Sequence, residues 1–296
     1  IGGLAAVAVS GTVSAAPVDD MPETPLEPTM LLAQAEGEGE GEGASVAGGE
    51  GEGEGASVAG GEGGEGGEGG EGGEGEGEGE GGASLDPTTA FLSGLGFMEG
   101  HIRAGLSLYE AGDLEAAKTH MGHPIKEKYG AVAGQLEELG MSDLRADLTA
   151  LADAAEAEAD YETVSALFAQ VYARFEEART HYTTAEQAAG LVALTRVAGE
   201  EYTIAVKGDG ISNLHEYQDS WGFIRAVETE AIQMAASNNE TVAEVGAAIR
   251  EQVNVMDSVY GDLQGQGDFE MTPSTIYSAA ARMEIAALDL DSSGDN

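Results

Sequence analysis

A tract of glycine and glutamate, residues 36–84, sets the strongest limit on what this chain can fold into. It opens with EGEGEGEGASVAGG, repeats that segment in shortened form, and continues in EGG and EG units. Glycine loses the most conformational freedom on ordering, and closely spaced glutamates repel one another. We therefore predict that residues 36–85 form a disordered acidic linker and that the folded part follows it.

The stretch before this tract is typical of a secretion signal. IGGLAAVAVSGTVSAAP combines a short apolar run with small residues, and Ser14-Ala15-Ala16 or Ala33-Gln34-Ala35 offers a cleavage site. The apolar run is too short to span a bilayer. We interpret residues 1–35 as a signal-peptide remnant and leader, which predicts a periplasmic or secreted protein without a membrane span.

Charge and cysteine content exclude several classes of protein. The chain has 55 acidic and 12 basic residues, and every basic residue lies between Arg103 and Arg282. This balance repels nucleic acid and favours metal cations or a basic protein partner. An acidic surface that only maintains solubility explains the charge equally well. Because the chain has no cysteine, disulfides and thiolate metal sites are excluded.

Residues 86–290 carry the apolar spacing of helices. Apolar side chains recur every three or four residues, as between Phe91 and Tyr109, and no segment alternates long enough to indicate a sheet. Caps and breaks divide the stretch at Asp86-Pro87, Gly112-Asp113, Pro124, Ser142, Asp160, Thr184, Gly208-Asp209-Gly210, Asn238 or Asn239, and Thr272-Pro273. We predict an all-α helical bundle here, followed by a disordered tail at 291–296.

An internal echo predicts a duplicated helical unit. Tyr109 and a Gly-Asp turn precede His120, much as Tyr202 and a Gly-Asp-Gly turn precede His215. Each segment indicates a helix, a turn and a second helix that carries a histidine. This repetition predicts two pseudo-symmetric helical halves.

Three of the five histidines fall between Phe97 and Tyr129. His120 and His123 are three residues apart, and Glu127 follows one helical turn later, so the three side chains share a helix face. His101 lies on the preceding helix, which would fold back onto this face. Imidazole and carboxylate together suit iron, zinc or copper. The alternative is that these histidines are half-buried structural residues or helix caps.

A second group of polar residues begins the helix after the Gly-Asp-Gly turn. His215 and Asp219 are four residues apart with Gln218 beside them, and Glu201 on the preceding helix would approach across the turn. The apolar block from Trp221 to Val227 fits a helix core. The predicted metal ligands are His101, His120, His123, Glu127, Glu201, His215 and Asp219, with iron favoured and zinc or copper as alternatives.

Enzymatic chemistry finds little support in the sequence. The chain has no nucleophile in a recognisable turn, and the Gly/Glu tract lacks the lysine of a phosphate-binding loop. The Glu-x-x-His pairs of ferritin-like di-iron bundles do not occur either. We therefore expect a protein that is not an enzyme.

Three short segments resemble the imelysin-like periplasmic proteins, a group associated with bacterial iron uptake. They are Glu99-Gly100-His101, Gly122-His123 with Glu127, and His215 to Asp219. The Gly-x-His-x-x-Glu signature of that family does not occur in this chain; Gly122-His123 with Glu127 and His215 with Gln218 come nearest to it. The resemblance implies an exported helical protein that captures or delivers iron. The alternative from a different class is a non-enzymatic helical interaction module tethered by the acidic linker.

Overall fold

The computed structural model describes residues 85–293, with side-chain surroundings through Leu290. The predicted leader, the Gly/Glu linker and residues 294–296 lie outside the described residues. Within the described range the chain is helical apart from short connections and one small hairpin, so the predicted all-α fold is confirmed there. Every described helix is too short or too polar to cross a bilayer.

Nine α-helices follow one another along the described residues. They are α1 Pro87–Ala111, α2 Leu114–His123, α3 Tyr129–Glu138, α4 Leu144–Glu156, α5 Tyr161–Arg179, α6 Thr184–Ala205, α7 Leu214–Ala235, α8 Glu240–Met256 and α9 Pro273–Ser293. A π-helical turn, Pro124–Lys128, joins α2 to α3, and a 3-10 turn, Asp257–Val259, follows α8. Strands β1 Val206–Lys207 and β2 Gly210–Ile211 pair as an antiparallel hairpin between α6 and α7.

Side-chain caps determine where several helices begin. The Asp86 carboxylate accepts hydrogen bonds from the backbone N–H groups of Thr88 and Thr89, as predicted for the start of α1. Thr183 and Glu186 form a reciprocal capping box at α6. Two predicted boundaries were wrong: α4 begins after Asp143 rather than Ser142, and α6 ends at Ala205 because the next two residues form β1. The last described helix extends to Ser293, past the predicted end of the bundle at residue 290.

The predicted helix break at Pro124 is also wrong. Proline lacks the N–H group that would continue an α-helix, and the chain responds with a π-helical turn in which Tyr129 N–H donates to the Pro124 carbonyl. Helix α2 therefore continues through this turn into α3. The continuous helical path keeps His120, His123 and Glu127 on one face.

Two glycines bring α1 against α7. A Cβ at Gly222 would lie 2.3 Å from the Gly100 carbonyl oxygen, and one at Gly100 would lie 2.8 Å from the Phe223 backbone nitrogen. Only glycine permits this backbone contact. Because His101 follows Gly100 and Asp219 lies one turn before Gly222, the contact brings these two side chains together.

Two hydrophobic clusters form the core of the described residues. One comes mainly from α6–α9 and contains the large buried side chains of Tyr202, Tyr217 and Phe223. The other comes from α1–α5, with Phe91 and Phe175 among its members. Phe223, Ile224 and Val227 of the apolar block on α7 are buried as expected, whereas Trp221 is only partly buried. A pseudo-symmetric relation between the two groups of helices stays a prediction.

Candidate metal centre

Four histidines surround one aspartate where α1, α2 and α7 meet. Helix α1 contributes His101, α2 contributes His120 and His123, and α7 contributes His215 and Asp219. The side chains of His101, His120 and Asp219 are at most 4% exposed, while those of His123 and His215 are 12% and 27% exposed. Five of the seven predicted ligands therefore lie in one buried cluster, called the histidine cluster below.

Asp219 lies at the centre of this cluster. Its Oδ1 lies 2.6 Å from His101 Nδ1 and 2.8 Å from His120 Nδ1, and its Oδ2 lies 3.3 Å from His215 Nδ1. Both carboxylate oxygens are thus engaged by imidazoles from three helices. A single aspartate links α1, α2 and α7.

Glu127 extends the cluster from the π-helical turn. Its Oε1 lies 3.1 Å from His123 Nδ1, and its Oε2 lies 3.7 Å from His101 Nε2. The Glu127 side chain is partly exposed, so its carboxylate lies at the edge of the cluster. The sequence prediction that it faces the histidines holds in this geometry.

Several buried imidazole nitrogens have no hydrogen bond. Both nitrogens of His101, Nδ1 of His123 and Nε2 of His215 are in this state, although carboxylate oxygens lie 2.6 Å from His101 Nδ1 and 3.1 Å from His123 Nδ1. Buried polar atoms without partners are rare because each costs free energy. Several of them in one cluster, beside a carboxylate, are typical of nitrogens that coordinate a ligand.

His120 differs because both of its nitrogens are bonded. Nδ1 lies 2.8 Å from Asp219 Oδ1, and Nε2 lies 2.9 Å from Gln218 Oε1. Gln218 is held in this orientation because its Nε2 donates to the Leu263 carbonyl oxygen at 2.8 Å. Metal-binding histidines commonly donate their second N–H to such an oxygen, which fixes the ring and leaves the other nitrogen for the ion. Gln218 can therefore orient His120 so that Nδ1 faces Asp219.

The acid–base state of the cluster favours an ionised aspartate. Burial opposes ionisation of Asp219, but the neighbouring His101 and His120 outweigh it and lower the pKa of Asp219. Burial likewise opposes charge on His120, yet its bond to Asp219 raises the pKa of His120. Burial and the nearby His101 lower the pKa of His123 to about 3, and burial lowers the pKa of His215. His123 and His215 are therefore neutral at pH 7, the form that binds metals.

The donor atoms fall into two sets that share Asp219. His101, His123 and Asp219 form one set, and His120, His215 and Asp219 form the other; within each set the donors lie within 4.8 Å of one another. Imidazole nitrogen with carboxylate oxygen suits iron, zinc and copper. The residues present therefore fit a transition-metal ion.

Glu201 lies outside both donor sets. Burial and a hydrogen bond with Glu216 raise the pKa of Glu201 to about 9, so this carboxyl holds a proton at pH 7. Asp219 is a more distant contributor to the same shift. The assignment of Glu201 as a ligand stays a prediction.

A second buried polar cluster was missed by the sequence analysis. Arg179 Nη2 donates to Glu99 Oε2 at 2.5 Å, while its Nη1 donates to Glu230 at 3.1 Å and to Glu176 at 2.7 Å. Glu99 also accepts from Arg103 Nε at 2.6 Å. The closest sequence signal was Glu99 beside His101, because Arg179 and Glu99 lie 80 residues apart.

Comparison with known proteins relates the C-terminal part of the chain to iron uptake. Residues 177–287 match the family described as the iron permease-associated 4-helix bundle domain. No curated protein and no solved structure matches the chain. The matched residues span α6–α8 and most of α9, the four helices around one core cluster. The specific relation to imelysin-like proteins stays a prediction. This part of the chain is similar to an iron-uptake-related helical bundle.

Proposed function

We propose that this protein is an exported, non-enzymatic metal-binding protein that captures iron at the histidine cluster and delivers it onward. The observation that carries the proposal is the group of buried, unbonded imidazole nitrogens around Asp219. An ion bound by these nitrogens would supply the bonds that their contacts with Asp219 and Glu127 do not complete. The apolar and small-residue stretch within residues 1–35 supports export.

Iron is the ion we favour for two reasons. The donors are imidazole and carboxylate without sulfur, a combination that iron accepts, and part of the chain is similar to an iron permease-associated domain. Copper and zinc also accept these donors, and intrinsic affinity alone favours copper over iron. Iron selectivity in this protein therefore depends on which metal its compartment supplies.

Capture and delivery both need a route between solvent and the cluster. His215 is the most exposed of its histidines, at 27%, whereas His101 and His120 are almost fully buried. The excess of acidic residues raises the local cation concentration around the molecule. We propose that an ion enters and leaves past His215.

The test is the Fe²⁺ content of the full chain, prepared without a His tag, loaded anaerobically and desalted. Excess Mg²⁺ during loading occupies exposed carboxylates, including those of the Gly/Glu tract. We expect stoichiometric iron in the wild type and in His181→Ala, because His181 is exposed and outside the cluster. His101→Ala and His123→Ala should bind less iron. Equal iron in all four proteins, or none in the wild type, would disprove the proposal.

One observation favours the alternative function of a helical interaction module. Helix α9 exposes Tyr277, Ile285 and Leu288, which are 39%, 67% and 59% exposed and recur at helical spacing. Exposed apolar side chains along one helix are typical of protein contacts. If the wild type binds no metal, this face becomes the leading functional candidate, and a Leu288→Glu variant would test whether it mediates association.

A further inference from the structure

We infer that the histidine cluster holds two metal ions bridged by the Asp219 carboxylate, rather than one. The inference rests on the proposed function, because it specifies how the same cluster binds its cargo. It starts from the division of the donors into two sets that have only Asp219 in common.

The Asp219 carboxylate faces imidazoles of both sets. Oδ1 contacts His101, which belongs to the first set, and His120, which belongs to the second, while Oδ2 contacts His215 of the second. A carboxylate shared by two ions is a standard bridge in two-metal centres, where the ions are about 3.5–4 Å apart. Asp219 fits this role because both of its oxygens face imidazoles.

The spacing of the imidazoles argues against one ion held by all four. Within residues 85–290, the donors close enough to share an ion form two sets of three rather than one larger set. The ring centres of His120 lie 6.2 Å from both His101 and His123, whereas His120 stacks on His215 at 4.5 Å. His101 and His123 are closer to each other, at 5.3 Å. His215 also lies 4.6 Å from His123, so the rings form a chain from His101 to His120, and the two ends of this chain are too far apart to share one ion with the rest.

The two positions are not equivalent. The less buried histidine of the first set, His123, is 12% exposed, whereas that of the second set, His215, is 27% exposed. The first set also lies beside the Glu127 carboxylate, which is within 3.7 Å of both of its imidazoles. An ion in the second set is therefore nearer to solvent and exchanges more readily. We assign the first position to retention and the second to exchange.

The test is an anaerobic Fe²⁺ titration of the full chain in excess Mg²⁺, followed by calorimetry. We expect two equivalents bound in two steps of different affinity. His215→Ala should lose the weaker step and keep the tighter one, and Asp219→Asn should weaken both. His181→Ala is the matched control and should behave as the wild type.

The outcomes separate this inference from the proposed function. One equivalent in the wild type would overturn the two-ion inference but keep the proposal of metal capture, whereas no binding would overturn both. If Asp219→Asn binds two equivalents of Fe²⁺ with unchanged affinities, Asp219 does not bridge the ions. If Asp219→Asn does not fold, X-ray absorption of the wild type decides: iron–iron scattering at about 3.5–4 Å should appear at two equivalents. Its absence at two equivalents would overturn the bridge.

Discussion

Two buried polar clusters among residues 85–290 differ in how completely their atoms are bonded. In the cluster around Arg179, the guanidinium bonds Glu99, Glu176 and Glu230, and none of these charged side chains has a buried atom without a partner. In the histidine cluster, by contrast, four imidazole nitrogens have no hydrogen bond. Both clusters involve α1 and α7, and Glu99 and His101 are only two residues apart.

The difference shows how a structural cluster is told from a binding site. A buried charge network that is fully bonded holds helices together, and little is left over for a ligand. A cluster whose buried nitrogens lack hydrogen bonds lowers the stability of the fold unless a ligand binds to those nitrogens. Changes in the two clusters should therefore affect different properties of the protein.

The largest expected effect is on stability, from Arg179→Met. This change leaves the buried Glu230 without its guanidinium partner and leaves Glu99 with Arg103 alone, and breaking a buried ion pair in this way costs about 3–5 kcal/mol. We expect the free energy of unfolding to fall by that amount in urea denaturation, with unchanged Fe²⁺ stoichiometry in the folded fraction. If Arg179→Met lost iron binding but kept its stability, the Arg179 cluster would be part of the binding site rather than a structural cluster.

The next effect is on metal affinity, from Gln218→Leu. This change removes the acceptor that holds His120 Nε2 and should weaken Fe²⁺ binding by about 10–100-fold, the usual range for such orienting partners. Competition with a chelator of known affinity measures the change. The exposed Gln264→Leu is the matched control because its side chain bonds Asp113, outside the cluster. Equal Fe²⁺ affinities of the two variants would show that Gln218 does not orient a metal ligand.

A smaller effect on stability is expected from His101→Phe. The His101 ring packs edge-on against Phe97 and Phe223, so phenylalanine fits that side of the cluster, but the change removes the imidazole that contacts Asp219 Oδ1. We expect the free energy of unfolding of the metal-free protein to fall by about 1 kcal/mol, because the buried carboxylate keeps its contact with His120, while tight Fe²⁺ binding is lost. Unchanged iron binding in this variant would show that His101 is a structural residue.

The smallest effect is a change in pH dependence, from Glu201→Gln. The pKa of Glu201 rises from 4.5 to about 9 on folding, so its contribution to stability is present below pH 4.5 and is lost as the pH rises towards 9. The Gln variant cannot release this proton, and its melting temperature should fall less between pH 5 and 9. Parallel curves for the variant and the wild type would exclude the buried proton.

Local signals in the sequence predicted much of the fold. The capping carboxylate of Asp86 and the Gly-Asp-Gly turn each act over a few residues, so their effects are visible in sequence, whereas the cap predicted at Thr184 lies one residue earlier, at Thr183. Pro124 was misread because proline usually ends a helix, whereas the π-helical turn absorbs its missing hydrogen bond. That outcome depends on packing beyond the local sequence.

Local spacing in the sequence also predicted part of the candidate site. His120 with His123, and His215 with Asp219, are helical neighbours, so each pair could be read from spacing. Their meeting depends on the contact of Gly100 with Gly222, which joins helices that are distant in sequence. Gln218 can orient His120 only because the distant Leu263 carbonyl holds its amide. The Arg179 cluster likewise forms only when residues from three helices meet. Neither set of contacts has a local sequence signal.

The central claim is that iron binds imidazoles in the bundle rather than carboxylates of the acidic tract. X-ray absorption at the iron edge of the loaded full chain tests this most directly, because imidazole rings give outer-shell scattering that carboxylates do not. The account predicts that imidazole scattering is present in the wild type and in His181→Ala, and reduced in His123→Ala. Coordination by oxygen alone, unchanged in His123→Ala, would contradict it.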